Sequence, residues 1–216
     1  MASVLKAENI SFGYRNGQSV IKDFSYEFEL GKTYVITGQS GAGKTTLMLL
    51  LSGLLSPKKG KIFFNRKNIA WANKSRYRSR NVSLVFQNYN LLPKLTAIEN
   101  VMLAMYLAGD YSWGKRARCM ELLQQMGLQK DECKRKILKL SGGQQQRVAI
   151  ARAISHDANI ILADEPTGNL DESNSEEIMT LFNDLAHNEN KCVIIVSHSS
   201  LIAGMADEQV EIKKGE

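Results

Sequence analysis

No stretch of this 216-residue chain is apolar for long enough to cross a bilayer, which takes ~18 consecutive residues. The longest apolar runs, 47–51 and 101–108, fall far short. Cysteine is scarce: Cys119, Cys133 and Cys192 form no CxxC pair, which argues against a disulfide framework and suggests no zinc site. All three read as packing residues of a protein from a reducing compartment. The N-terminus has no basic segment followed by an apolar one, so no secretory signal is expected. Low-complexity linkers, internal repeats and heptad runs are also missing, and the sequence offers no hard domain boundary. What remains is 44% hydrophobic and 23% charged, ordinary globular composition in one large domain or a domain with a small insertion.

Acids are absent from one whole segment. Lys58, Lys59, Lys61, Arg66, Lys67, Lys74, Arg76, Arg78 and Arg80 follow one another without an Asp or Glu, and they more than account for the net charge of +6. The plain reading is a solvated polar face of a small subdomain. The functional readings are contact with anionic lipid head groups or with an acidic partner. Trp71 and Tyr77 lie inside the cluster, but no interleaved aromatic pattern favours base stacking, and no nucleic-acid partner is expected.

Alternation of apolar and polar residues predicts antiparallel strands over 4–12 and 20–30, followed by a short strand over 33–37. Leu47, Leu50, Leu51 and Leu54 recur at helical spacing and predict one buried helix face. A turn at 56–60 leads to a strand over 61–64, and another strand is expected over 82–86. From 96 to 129 the pattern is helical, broken at Gly109 and Gly127; this is the expected inserted helical subdomain, spanning about 90–140. A helix over 147–154, a strand over 159–163, a helix with its stripe at Ile178, Leu181, Phe182 and Leu185, a strand over 192–197, a short helix and a last strand near 209–212 complete the chain. Strands alternating with helices imply right-handed crossovers and a parallel core sheet.

Gly38-Gln39-Ser40-Gly41-Ala42-Gly43-Lys44-Thr45-Thr46 satisfies GxxxxGK(S/T) between a strand and a helix, the context that such a motif needs. Glycines let successive N–H groups turn inward onto phosphate oxygens, and the helix N-terminus adds partial positive charge. Lys44 is expected at the β- and γ-phosphates, Thr45 on Mg²⁺ and Thr46 on the α-phosphate side. The apolar strand ending in Asp164 and Glu165 places two carboxylates at the edge where open parallel sheets bind ligands. Asp164 is assigned to the metal and Glu165 to deprotonating the attacking water. His198, at the tip of the next strand, is assigned to the γ-phosphate and to holding Glu165 and the water in line. His156 and His187 have no such placement and read as surface residues. Gln87, at the end of a strand, is suited to Mg²⁺ or to orienting water. Tyr14, in a turn-prone stretch, is a platform for stacking adenine.

A second glycine-bearing helix opening, Leu140-Ser141-Gly142-Gly143-Gln144, is redundant in a chain that already holds a complete phosphate cradle. It is expected to close over nucleotide held by a partner copy.

Taken in order, these residues resemble the nucleotide-binding subunit of ATP-binding-cassette (ABC) transporters over essentially the whole chain. The matching features are the Walker A loop at 38–46, the Q-loop at Gln87, the signature at 140–144, Walker B at 160–164 with Glu165, and His198. Gly168-Asn169-Leu170-Asp171 looks like the D-loop, which in this family crosses the dimer interface. The runs 163–171 and 86–93 are similar to the branch that serves lipoprotein release, macrolide and peptide export, and cell division. The resemblance implies an α/β fold: a P-loop NTPase core with a mixed, largely parallel sheet, an N-terminal antiparallel β-subdomain and an inserted helical subdomain, all within 1–216. It implies a head-to-tail homodimer with two ATP molecules and Mg²⁺ at the interface, each ATP lying between Lys44 of one copy and Ser141, Gly142, Gly143 and Gln144 of the other. It further implies a groove near 87–105 that receives a membrane permease, and a cytoplasmic location on the inner face of the cell membrane. No C-terminal regulatory domain is expected. The implied function is ATP hydrolysis energising a separate permease that exports a peptide, lipopeptide or hydrophobic compound. The alternative is an ATPase that transmits force through a membrane complex to control cell-wall hydrolysis or signalling. Action on ribosomes or DNA is disfavoured, because there is neither a second fused cassette nor a coiled-coil interruption.

Overall fold

Side chains along a strand point alternately to opposite faces, and that period of two builds this protein around two cores. The computed structural model describes residues 3–14, 19–168 and 171–213. Strands β1 (Ser3–Gly13) and β2 (Ser19–Glu29) are followed by β3 (Lys32–Thr37), helix α1 (Lys44–Leu51), β4 (Lys59–Phe64) and the short β5 (Lys67–Asn68). Helix α2 (Lys74–Asn81) leads into β6 (Val82–Val85), then helices α3 (Ala97–Ala108), α4 (Lys115–Gln125) and α5 (Gly142–Ile154). Strand β7 (Ile160–Asp164), α6 (Glu172–His187), β8 (Cys192–Val196), α7 (Ser200–Gly204) and β9 (Glu208–Glu211) follow.

Two sheets result. One is antiparallel in the order β2-β1-β4-β5; the other is parallel in the order β6-β7-β8-β3-β9. On β7, Ile160 and Leu162 join the core shared with the antiparallel sheet and α1, while Ile161 and Ala163 join the core under the helices. The neighbouring strand β8 divides in the same way, with Ile194 on one side and Val193 and Ile195 on the other. Strands buried on both faces read as continuous apolar runs, which is why 160–163 and 193–196 carry no polar residue. The three cysteines are buried packing residues, as expected.

The helical region lies between β6 and β7. Helix α3 opens with a capping box between Thr96 and Glu99 and ends at Gly109 in the left-handed region, φ 89°. Its buried face is Ala97, Ile98, Val101 and Met105.

The structure departs from the sequence reading in several places. Helix α1 stops at Leu51, because Gly53 takes a left-handed φ of 72°; Leu54 falls outside the helix and is exposed rather than buried. Helix α5 starts at Gly142, within the helix opening expected at 140–144 and upstream of the helix over 147–154. Helix α2 and strand β5 were not foreseen. His156 is half-buried beside Ser83, not a surface residue, and burial pushes its pKa below the ordinary 6.5. His187 is exposed, as expected, and lies 2.9 Å from the Asp207 carboxylate.

Candidate active site

Strand β3 delivers the chain to a turn that only glycine can make. Gly38 has a φ of 148°, and a Cβ there would sit 2.3 Å from the carbonyl oxygen of Ile212. Gly43 has a φ of 98° and is wedged against Val20 and Ile21, within 3 Å of any added Cβ. Helix α1 then begins with no side-chain cap, so its first N–H groups are left for another acceptor. Nζ of Lys44 folds back onto the turn and donates to the carbonyls of Gly38 at 2.8 Å and Gln39 at 3.2 Å. Ser40 and Gly41 lie exposed on the outside of the same turn, while Ala42 is buried and donates from its N–H to the carbonyl of Gln39.

The two residues after Lys44 each find one partner. Thr45 Oγ1 donates to Asp164 Oδ1 at 3.3 Å, which links the turn to the end of β7. Asp164 is buried, and burial raises its carboxyl pKa, opposed by the Thr45 hydrogen bond. The Thr46 hydroxyl lies 3.2 Å from the Tyr14 hydroxyl. The Tyr14 ring packs edge-on against Phe12 and keeps about half its surface open, so the predicted stacking residue stands beside the phosphate turn.

Glu165 has a left-handed φ of 46°, and its N–H donates to the Val196 carbonyl across the sheet. That fixes the carboxylate where β7 and β8 end together. Its Oε1 lies 2.9 Å from His198 Nδ1, whereas Oε2 is buried with no hydrogen-bond partner among the described residues. In this conformation His198 therefore holds Glu165, and its ring is otherwise exposed. Gln87 sits two residues past β6 in an exposed turn. A Cβ on Gly168 would lie 3.7 Å from Glu165 Cβ and 4.0 Å from Gln87 Nε2, so both predicted residues border Gly168. Asn169 and Leu170 lie outside the described residues; Asp171 caps α6 by accepting from the Asn174 N–H.

These groups fit a magnesium nucleotide. The turn offers uncapped N–H groups and a lysine ammonium to phosphates. Thr45 and Asp164 form a hard-oxygen pair of the kind magnesium takes, and Glu165 keeps one buried oxygen with no partner among the described residues.

The other glycine turn is not part of this cluster. Ser141 is the N-cap of α5: its Oγ accepts from the Gln144 N–H at 3.3 Å, and Gln144 Oε1 accepts from the Ser141 N–H at 3.0 Å. Gln144 Nε2 is anchored in turn on Glu132 at 2.7 Å. Ser141 and Gly142 are exposed and Gly143 half-buried. A Cβ on Gly142 would meet nothing within 4 Å, so the fold of this chain does not require glycine there.

Arg152 is a functional candidate that the sequence reading missed. Its guanidinium donates to the carbonyls of Tyr89 and Asn90 at 2.7 and 2.6 Å, clamping the segment just after Gln87 onto α5. The signal was present as one arginine among the apolar residues of 148–154. Beside this clamp runs an apolar groove of about 400 Å³, lined by Leu84, Phe86, Leu92, Leu103 and Leu107 among others. Gln87 and Met105, the limits expected for it, do not themselves line it.

A family model described as ABC transporter matches residues 21–168. The chain is 44% identical to the uncharacterised ABC transporter ATP-binding protein YclH of Bacillus subtilis, over 99% of this chain and 95% of that one. It is 39% identical to the lipoprotein-releasing system ATP-binding protein LolD of Aquifex aeolicus, over 100% and 96%. Among solved structures, the ATP-binding cassette MJ0796, in a dimeric post-hydrolysis state with ADP and phosphate, superposes with a TM-score of 0.91. It is 33% identical and covers 98% of this chain and 95% of that chain.

Proposed function

The chain belongs to the ABC transporter family as an ATP-binding subunit that hydrolyses ATP to ADP and phosphate, and from that premise we propose how it works. Two copies close head to tail on two ATP molecules. Each nucleotide lies between the Lys44 turn of one copy and the Ser141 turn of the other. The observation that carries this reading is Gly142, an exposed glycine with open space where its Cβ would be, at the opening of α5. A glycine that its own chain does not need fits one that must let another molecule approach.

On ATP binding, Lys44 exchanges the carbonyls of Gly38 and Gln39 for phosphate oxygens, and the N–H groups at the start of α1 take the rest of the phosphate chain. Thr45, Asp164 and Gln87 would hold Mg²⁺, whose charge would offset that of the phosphates. Glu165 accepts a proton from the attacking water at its unpartnered Oε2 while His198 steadies Oε1. The Ser141 hydroxyl, which only accepts within the capping box, keeps its own proton to donate to a γ-phosphate across the interface. The Tyr14 ring supports adenine.

The whole of 1–216 acts as one cassette with its helical part, about 90–140, inserted in the core. The apolar groove beside Arg152 receives a segment of a separate membrane permease, which holds the subunit against the inner face of the cell membrane. The lipoprotein-releasing relative favours export of a peptide, lipopeptide or other hydrophobic cargo. Light scattering of Glu165→Gln tests the dimer: with MgATP its mass should double from 24.1 kDa, and a mass that stays at the monomer value refutes the sandwich.

A further inference from the structure

The end of α3 and its connection to α4 turn large apolar side chains outward. Leu107 is 70% exposed, Tyr111 76% and Trp113 fully so. The segment is nevertheless firmly built. The Lys115 side chain is buried, donates to the Ser112 carbonyl at 2.6 Å, and lies 4.9 and 5.9 Å from the ring centres of Tyr106 and Tyr111. Asp110 accepts from the Ser112 N–H and from Arg118. Left-handed glycines, Gly109 and Gly114, close the two ends. The exposure of Trp113 thus belongs to a shape that the chain stabilises, not to slack.

Exposed arginines flank this tip. Arg80, the last of nine bases in a run without an acid, has its guanidinium 3.4 Å from where a Cβ on Gly109 would be. Arg116 is exposed in the first turn of α4. The one acid in the connection, Asp110, is matched by Arg118 and Lys115. Leu107 also lines the apolar groove, so the tip is continuous with the surface assigned to the permease. Tryptophan and tyrosine flanked by arginine are the side chains that settle at a bilayer interface, and basic groups are drawn to its anionic lipids.

We propose that the tip formed by Leu107, Tyr111 and Trp113, flanked by Arg80 and Arg116, rests among the anionic head groups of the membrane that houses the permease. The inference rests on the groove being the permease's seat, which is what brings the tip to the bilayer.

The test uses the full chain with Trp71→Phe, which leaves Trp113 as its one tryptophan. Vesicles containing phosphatidylglycerol should shift its emission to the blue and carry the protein in flotation at low salt; pure phosphatidylcholine vesicles should do neither. Arg80→Ala should weaken binding roughly fivefold, and Tyr111→Ala with Trp113→Ala should abolish the flotation, with ATP hydrolysis unchanged. Unshifted emission on the anionic vesicles, or flotation indifferent to these substitutions, overturns the proposal. So does a Tyr111→Ala, Trp113→Ala chain that floats normally but no longer retains the membrane subunit from detergent-solubilised native membranes, because the tip then meets protein. The groove reading fails separately: Leu103→Glu that still retains the membrane subunit counts against the groove and leaves the vesicle result standing.

Discussion

His198 Nδ1 lies 2.9 Å from one oxygen of Glu165, and the other oxygen of that carboxylate is buried with no hydrogen-bond partner among the described residues. A base held by one atom and free at the other is aimed, and aim is what a proton acceptor for water requires. Glu165→Gln keeps the shape and removes the basicity. It should lower phosphate release by about 10²–10⁴-fold while leaving ATP affinity near normal. His198→Ala should lower turnover less, because the carboxylate survives but loses its anchor. Steady-state phosphate release and equilibrium nucleotide binding separate the two effects.

Lys44 makes its hydrogen bonds to carbonyls of its own turn, not to core groups. Lys44→Ala should therefore leave the melting temperature of the nucleotide-free protein within a few degrees of wild type. ATP binding should weaken at least about tenfold, the scale of one lost charge-assisted hydrogen bond. Calorimetric titration with ATP reads the loss, and a large drop in melting temperature would contradict a role confined to the ligand.

These turns were readable in the sequence because their chemistry demands particular residues at fixed spacing. Gly38 and Gly43 have backbone angles and neighbours that exclude a side chain, and the strands that carry Asp164 and Glu165 and end near His198 are buried on both faces and hence purely apolar. Helix α2 escaped notice because only Tyr77 of its eight residues is buried, which leaves no stripe to see. Leu54 was misplaced because a left-handed Gly53 ends α1 within one turn of an unbroken leucine pattern. The capping box of Ser141 and Gln144 was legible in principle but was overshadowed by the glycines beside it. Arg152 stands out in the sequence as one arginine among apolar residues, but its partners do not, because they are backbone carbonyls more than sixty residues away.

Arg152 joins the helix that begins at Ser141 to the segment that follows Gln87. Arg152→Ala strands two carbonyls and should cost about 2–3 kcal/mol of stability, roughly a kilocalorie per lost hydrogen bond and somewhat more for a charged donor. Hydrolysis by the lone subunit should persist while stimulation by the permease falls. Arg152→Lys, which supplies charge without the two-pronged geometry, should restore stability in part and coupling little. Denaturant melts and ATPase assays with and without the membrane subunit check both statements.

His156, held below its ordinary 6.5 chiefly by burial, gives stability a pH dependence. With the folded value depressed, the unfolded chain takes up its proton first. The contribution is complete above pH 6.5 and is lost as pH falls through the lower folded value. His156→Gln should flatten the fall in stability below about pH 6.5, measured by urea melts at a series of pH values from neutral downward.

The central claim is that each ATP is shared between two chains, and complementation tests it most directly. Lys44→Ala spoils one wall of the site and Ser141→Arg the other. A mixed pair places both defects at one seam and leaves the second seam intact. Mixing the two inactive proteins should therefore restore hydrolysis that neither supplies alone. If the mixture stays as inactive as its parts, with mixed dimers demonstrably present, the nucleotide is not held between neighbouring copies.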